Sequence, residues 1–542
     1  MKKNNTIKVV LITTIVLLVL SWIFKAAYFQ GEFVDQGRVQ MGLFDLFNYP
    51  LTALSYFGYI ALYLIAVGGF YGILYKIPAY RNLLDKISGA FKNKGMLFLS
   101  IVVVLFALLV SICGLQIGLA LVIPFVVSII LLIGYDKNVA ALVTVGSMAV
   151  GLAGSTYANA NLNVLTSSLN LDINYQIWVR VVILLVGIIL VIFNTFMYTK
   201  RNMKVVKAEK TTVKKAEVEE VKVATKVEPE KKSKSETVKK NSSKNSATKK
   251  STKSTSSNSK KSSSKSRKSV NKAALKDEDI IVVKENMGVN KECLVPNAVG
   301  SVHKVWPFVT LFILLFIVFV LAFIPWSTVF KIDLFDKMLK GFTEFELFGF
   351  PIFGKIFGTV NSFGNWMITD MFLPMALVIL ILAFIYRLSF DDIIDGFMAG
   401  AKKALRPAIV AMLVYTILVL VTYHPFQLVL YKAIIGKKFN VVKEVLTAIL
   451  ATIFNVDPSY TFQSVLPYLV SVVTDTKLYG LVGIIYQSMY GFTTLFAPSS
   501  LILMTTLSFL KVSYGSWLKT IWKLLLELFI ILLIIFIILA VI

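Results

Sequence analysis

The chain has 542 residues, 57% of them apolar, 13% aromatic and only 16% charged. Soluble proteins carry about 25% charged residues, and a mean hydropathy of +0.75 excludes an ordinary soluble enzyme. The formal charge of +26 is localised: residues 200–276 hold 25 Lys/Arg against 7 Glu, a surplus of 18. A membrane span takes about 20 mostly apolar residues, and the apolar runs are continuous rather than alternating, which excludes a β-barrel. Two cysteines, Cys113 and Cys293, make no disulfide scaffold. The class is an all-α polytopic membrane protein.

In chain order, the first hydrophobic half is 1–199. The run Val9 to Phe24 is long for a signal peptide and no A-x-A site follows it, so a retained helix over 7–28 is predicted. A helix over 51–75 leads to the basic segment Lys76–Lys94. The stretch 97–134 is broken at Ser111–Gly118 and reads as a helical hairpin. A broken helix covers 139–165 and a helix covers 177–199. Residues 200–301 form a Lys/Ser-rich linker without aromatics in its basic stretch. It cannot bury enough surface to offset chain entropy and is predicted to be disordered. The second half, 302–542, gives helices at 305–325 and 371–387, the basic residues Lys402, Lys403 and Arg406, and a helix at 408–424. A second hairpin at 445–474, a broken helix at 479–505 and a last helix at 515–541 follow. This makes about nine spans and two hairpins in a cell membrane. Basic loops face the cytoplasm, which places the N-terminus and linker there and the C-terminus outside.

The halves repeat. An offset of 339 pairs Ser155 with Thr494, Ala158 with Ala497, Leu162 with Leu501, Tyr175 with Tyr514, Trp178 with Trp517 and Arg180 with Lys519. Upstream, residues 83–95 run parallel to 394–406, with Gly89 over Gly400 and Lys92 over Lys403. By the span count the matched helices cross in opposite senses. Inverted repeats with interrupted helices are a secondary-transporter architecture, with solute and ion sites near the bilayer midplane where helices break.

Four breaks supply the candidate binding residues. The first hairpin apex gives Gln116. The segment 154–163 gives Ser155, Thr156, Asn159, Asn161 and Asn163. The second hairpin gives Ser459, Thr461, Gln463 and Ser464. The last break gives Gln487, Ser488, Thr493, Thr494, Ser499 and Ser500. Asn, Ser and Thr favour caps and turns over helix interiors. Their oxygens, with unwound carbonyls, suit Na⁺, and exposed helix N-termini suit a carboxylate. The competing reading is that small polar residues glue membrane helices together.

The segments 114–124, 134–136, 150–156, 393–405, 458–467 and 496–519 resemble the C4-dicarboxylate anaerobic carrier family, in its arginine/ornithine-antiporter-like branch. The resemblance implies a homodimer, a scaffold domain, a transport domain bearing both hairpins, and elevator-type alternating access. Gln116 and Ile117 stand where the family carries acidic residues, and Tyr157 to Asn161 where it carries Asn-Pro.

The expected function is secondary transport of a small organic solute: a carboxylate, amino acid or short peptide. Coupling to Na⁺ or H⁺ is left open, and no other cofactor is expected. The alternative is a membrane scaffold whose basic linker binds anionic lipid or nucleic acid non-specifically. His303 and His424 are too few and too far apart for a metal centre. Glu527 lies inside the last helix, where Lys523 could pair with it. No motif of an enzyme is present.

Overall fold

The structure, a computed structural model, describes residues 5–224, 305–436, 439–454 and 457–541, with side chains traced to Arg201 in the first segment and not described for Asn159 and Phe357. Most of the linker therefore lies outside the described residues. Among the described residues, eight helices are long and apolar enough to span a membrane.

The first half opens with α1 (Thr6–Ile23) and a short antiparallel pair, β1 (Ala26–Phe29) and β2 (Phe33–Gly37). Next comes α2 (Asp45–Leu74), then α3 (Pro78–Phe91), which opens with Pro at its first turn and is amphipathic. The first hairpin is α4 (Gly95–Cys113) and α5 (Ile123–Ile133), joined through a 3₁₀ turn, Ile117–Leu121. Gly114 takes φ +70° at its apex, a left-handed turn that glycine adopts without strain. The broken helix is α6 (Lys137–Ala153) and α7 (Asn159–Ser168), and α8 (Ile177–Ala224) follows. Thus α8 continues past residue 199, where the linker was expected to begin.

The second half gives α9 (Trp306–Phe323), two short helices α10 (Leu334–Thr343) and α11 (Ile352–Phe357), and α12 (Phe372–Tyr386). A single long helix α13 (Phe390–Tyr423) starts at a Ser389/Asp392 capping box and runs through the basic residues and Pro407. The sequence had placed a boundary there. The second hairpin is α15 (Val441–Phe454) and α16 (Pro458–Val472), preceded by α14 (Gln427–Ile435). The second broken helix is α17 (Tyr479–Thr494) and α18 (Leu501–Leu510), and α19 (Tyr514–Val541) ends the chain.

The chain is interrupted at 154–158 between α6 and α7 and at 495–500 between α17 and α18, whereas Ser459 to Ser464 and Gln487 to Thr494, read as break residues, lie inside the continuous helices α16 and α17. The halves meet along two antiparallel seams. In one, α2 lies along α13. Lys76 at the end of α2 pairs with Asp392 near the start of α13 at 3.2 Å. At the other end, His424 bridges Tyr49 Oη and the Val39 carbonyl, each at 2.7 Å. One imidazole nitrogen thus ties the end of α13 to α2, and the other ties it to the segment that precedes α2. At the crossing, a Cβ on Gly72 would strike the Gly396 carbonyl and one on Gly400 the Gly68 carbonyl. Small residues four apart let membrane helices approach this closely.

In the other seam α6 packs on α17. Gly491 lies against the backbone of Ala149 and Ala153, and Gln487 reaches Ser155. As the number rises on one helix it falls on the other, so this pair is antiparallel too. Around it the order is repeated: α3 packs on α5 and α14 on α16; α4 packs on α6 and α15 on α17.

Candidate functional site

The first break lies between α6 and α7. Its carbonyls, freed by unwinding, need donors, because buried unpaired backbone groups are costly. Arg180, near the start of α8, supplies them and is fully buried. Its Nε donates to Ser155 O at 2.8 Å, Nη1 to Ile173 O at 2.7 Å and Tyr175 O at 3.0 Å, and Nη2 to Thr156 O. Its guanidinium sits 4.4 Å from the Tyr175 ring centroid. Gln487 adds a bond to Ser155 O at 2.9 Å and is itself held by Tyr175 Oη at 2.6 Å. Ser488 donates to Ala153 O at 3.2 Å. The cation that these carbonyls meet is therefore a side chain of the protein. Sequence reading had noted Arg180 only as a partner of Lys519 in the repeat.

The second break is served in the same way from the head of α19. Trp517 Nε1 donates to Leu495 O at 2.7 Å, and Tyr514 Oη donates to Phe496 O. The matched tryptophans differ: Trp178 is 80% exposed and Trp517 fully buried, so Arg180 does in the first half what Trp517 does in the second.

The candidate residues divide accordingly. Thr156 Oγ1 meets Ser111 Oγ at 3.0 Å, joining the break to the first hairpin. Thr493 and Thr494 bond back to Tyr490 O within α17 at 3.1 and 2.9 Å. Ser499 reaches across to the Ile453 carbonyl, and Ser500 caps α18. Thr461 and Ser464 bond within α16 or its cap. The Ser459 amide donates to Asp457 at 2.8 Å. Asn163 is exposed and bonds locally to the Val164 amide. The Asn159 side chain lies outside the described residues. Thr461, Ser464, Thr493, Thr494 and Ser500 thus bond within their own helix or cap, whereas Thr156, Ser488 and Ser499 bond across to another element.

Two polar atoms do not, and both belong to the first break. Asn161 Oδ1 accepts from Gln116 Nε2 at 2.9 Å, which ties α7 to the hairpin tip. Its Nδ2 has no partner among the described residues, although the side chain is only 6% exposed. The hydroxyl of Ser155 is also buried and unpaired. Gly114 makes room for Asn161: a Cβ there would lie 3.2 Å from Nδ2.

Gln116 also faces a cleft between the helical seam and the hairpin tip. Tyr71 and Tyr75 of α2 line it, with Gly400 and Lys403 of α13 and Thr505 and Thr506 of α18. Pro124, Ile123, Ile502 and Phe509 make much of the wall. Lys403 stands over the Tyr75 ring, 5.7 Å from its centroid. A mostly apolar wall, an amide, hydroxyls and one ammonium fit a short apolar solute with an anionic end. A separate groove at the far end, between β1, α14 and α16, contains Gln463 and Ser464. So the structure brings Gln116, Ser155, Thr156, Asn161, Gln487 and Ser488 together and leaves Gln463, Ser464 and Asn163 elsewhere.

Glu527 does not pair with Lys523; Asn194 Nδ2 donates to its Oε2 at 2.6 Å. No group of three or more metal-ligating side chains occurs among the described residues.

Residues 4–248 match the C4-dicarboxylate anaerobic carrier family. The match ends before the second hydrophobic half. A solved structure, the YdaH transporter of Alcanivorax borkumensis, aligns over 98% of this chain and 97% of that one, at 12% identity and a TM-score of 0.34. That similarity is too slight to support an inference. No curated protein matches the chain. The family match and the membrane-spanning helices together support a membrane transporter.

Proposed function

We propose that the protein is a secondary transporter of a small carboxylate-bearing organic solute, of the size of a C4-dicarboxylate. The observation that carries this is the cleft at the first hairpin tip. It joins an amide held by the broken helix, Gln116, to an ammonium on the opposite seam, Lys403. An ammonium in the lining favours a solute with a carboxylate, which an amino acid also carries, over a neutral peptide.

Alternating access would move the hairpins and broken helices as one body against the α2–α13 pair. The interlock of α6, α17, Arg180 and Gln487 supports a body that stays intact while moving. The family resemblance adds an elevator-type stroke in a homodimer to this reading. The carbonyls of the first break already meet a guanidinium, and those described in the second meet Trp517 and Tyr514. This disfavours a Na⁺ ion held by unwound carbonyls and favours coupling of another kind.

The test is exchange of radiolabelled succinate by the purified full chain in liposomes, with amino acids and dipeptides as competitors. Saturable exchange, lost or weakened at least tenfold by Gln116→Leu, supports the reading. Exchange equal to that of empty liposomes overturns it.

A further inference from the structure

Glu444 is a buried carboxyl in the second hairpin, away from the cleft at the first hairpin tip. It lies on α15 of the second hairpin and is completely buried. One oxygen, Oε2, accepts from Tyr486 Oη of α17 at 3.2 Å. The other, Oε1, has no partner among the described residues.

Among the described residues the surroundings hold no compensating charge: Lys432 of α14 stands over the Phe33 ring, and Lys437 and Lys438 lie outside the described residues. Behind Tyr486 stands Tyr431 of α14, also buried and within electrostatic reach of it. Lys443, the next residue on α15, is turned towards Gly436. From α13, α16 and α19, which also pack on α15, no Lys, Arg or His comes within ion-pair distance of Glu444 among the described residues. An ionised carboxylate in such a place costs several kcal/mol unless it is paired. A neutral carboxylic acid costs far less.

The position is connected to the candidate site. Tyr486, which holds Glu444, is followed by Gln487, which holds the first break. Besides the packing of α15 on α17, the carboxyl–phenol bond thus links the second hairpin to the α6–α17 seam one residue from the group that fixes Ser155 O.

We propose that Glu444 is the proton-binding site that couples transport to a pH gradient. The proton joins Oε1 from water when the hairpin opens to one side, and leaves Oε1 to water when it opens to the other. In the closed arrangement described here the acid is neutral, so the loaded hairpin can seal against α17. After release the carboxylate resists reburial until it is protonated again. The proposal rests on the transport reading for its direction, but its chemistry can be tested without a solute.

The full chain in liposomes is titrated with pH while the carboxylic-acid carbonyl stretch is followed by infrared difference spectroscopy. Wild type is expected to show a protonated-carboxyl band that persists above the ordinary glutamate range, about pH 4.3, and disappears at higher pH. Glu444→Gln should remove that band. Tyr486→Phe, which keeps the carboxyl, should shift its frequency and so identifies the band even if the Gln variant folds poorly. With succinate as probe, Glu444→Gln should lose accumulation driven by a pH gradient at least tenfold, while keeping succinate–succinate exchange within two- to threefold. A spectrum unchanged by both substitutions, or undiminished gradient-driven accumulation in Glu444→Gln, overturns the proposal. If wild type exchanges no succinate, the solute reading fails, and the band alone decides Glu444.

Discussion

Arg180 carries the first break because guanidinium has five donors in a fixed fork and stays charged. Removing it leaves the Ser155 and Thr156 carbonyls short of donors in a buried place. Each unsatisfied group costs about 1–3 kcal/mol. Arg180→Met should therefore lower the melting temperature of the detergent-purified protein by several degrees and reduce folded yield. Arg180→Lys, which reaches fewer carbonyls, should fall between. A melting temperature within a degree of wild type in Arg180→Met would contradict the role. The threonines and the asparagine of the two breaks part company in the same terms. Thr494 spends its hydroxyl on Tyr490 O, whereas Asn161 keeps an unpaired Nδ2 beside the hairpin tip. Asn161→Ala is expected to raise the apparent KM for the solute roughly tenfold, the value of one to two lost polar contacts. Thr494→Val, similar in shape, should change it little. Equal effects of the two substitutions on solute kinetics would argue that Asn161 is only packing.

At the scale of elements, the Gly68–Gly72 and Gly396–Gly400 contacts set how closely α2 and α13 approach. Gly400→Leu should force the helices apart and cut folded yield, since the backbone of Gly68 cannot move aside. Gly89→Ala is the control: it lies in open space within α3. Its loss of glycine flexibility should be neutral or stabilising by up to about 1 kcal/mol. Comparable damage from both would mean that the crossing does not constrain the fold. The interruptions at 154–158 and 495–500 lie beside Gly, Ser, Asn or Pro inside apolar runs, a local signal, but the same residue types at 459–464 and 487–494 lie within continuous helices. The continuity of α13 was not: Lys402, Lys403 and Pro407 read as a boundary, yet neighbouring helices tolerate a proline in a long helix. Arg180 was missed as a member of the site for another reason. Nothing local separates a buried arginine that serves distant carbonyls from a basic residue at a helix end. Nor did the sequence show that most break hydroxyls would bond within their own helices, because that depends on which face each helix presents.

At the scale of the whole molecule, the two antiparallel seams join two hydrophobic halves that the sequence separates by a Lys/Ser-rich stretch. That stretch has few apolar side chains to pack. Loop closure costs only about 0.6 kcal/mol per doubling of length. Deleting 210–275 should leave exchange within a few-fold of wild type, and complete loss in a variant that reaches the membrane would assign the segment a role in transport itself. In the proposed transport cycle the cleft at the first hairpin binds and moves a carboxylate-bearing solute. The most direct measurement is succinate exchange by the purified full chain in liposomes, compared between wild type and Gln116→Leu. Wild type should show saturable exchange, and the variant at least a tenfold loss at equal folded yield. Wild-type exchange indistinguishable from empty liposomes, or full activity in Gln116→Leu, would contradict it.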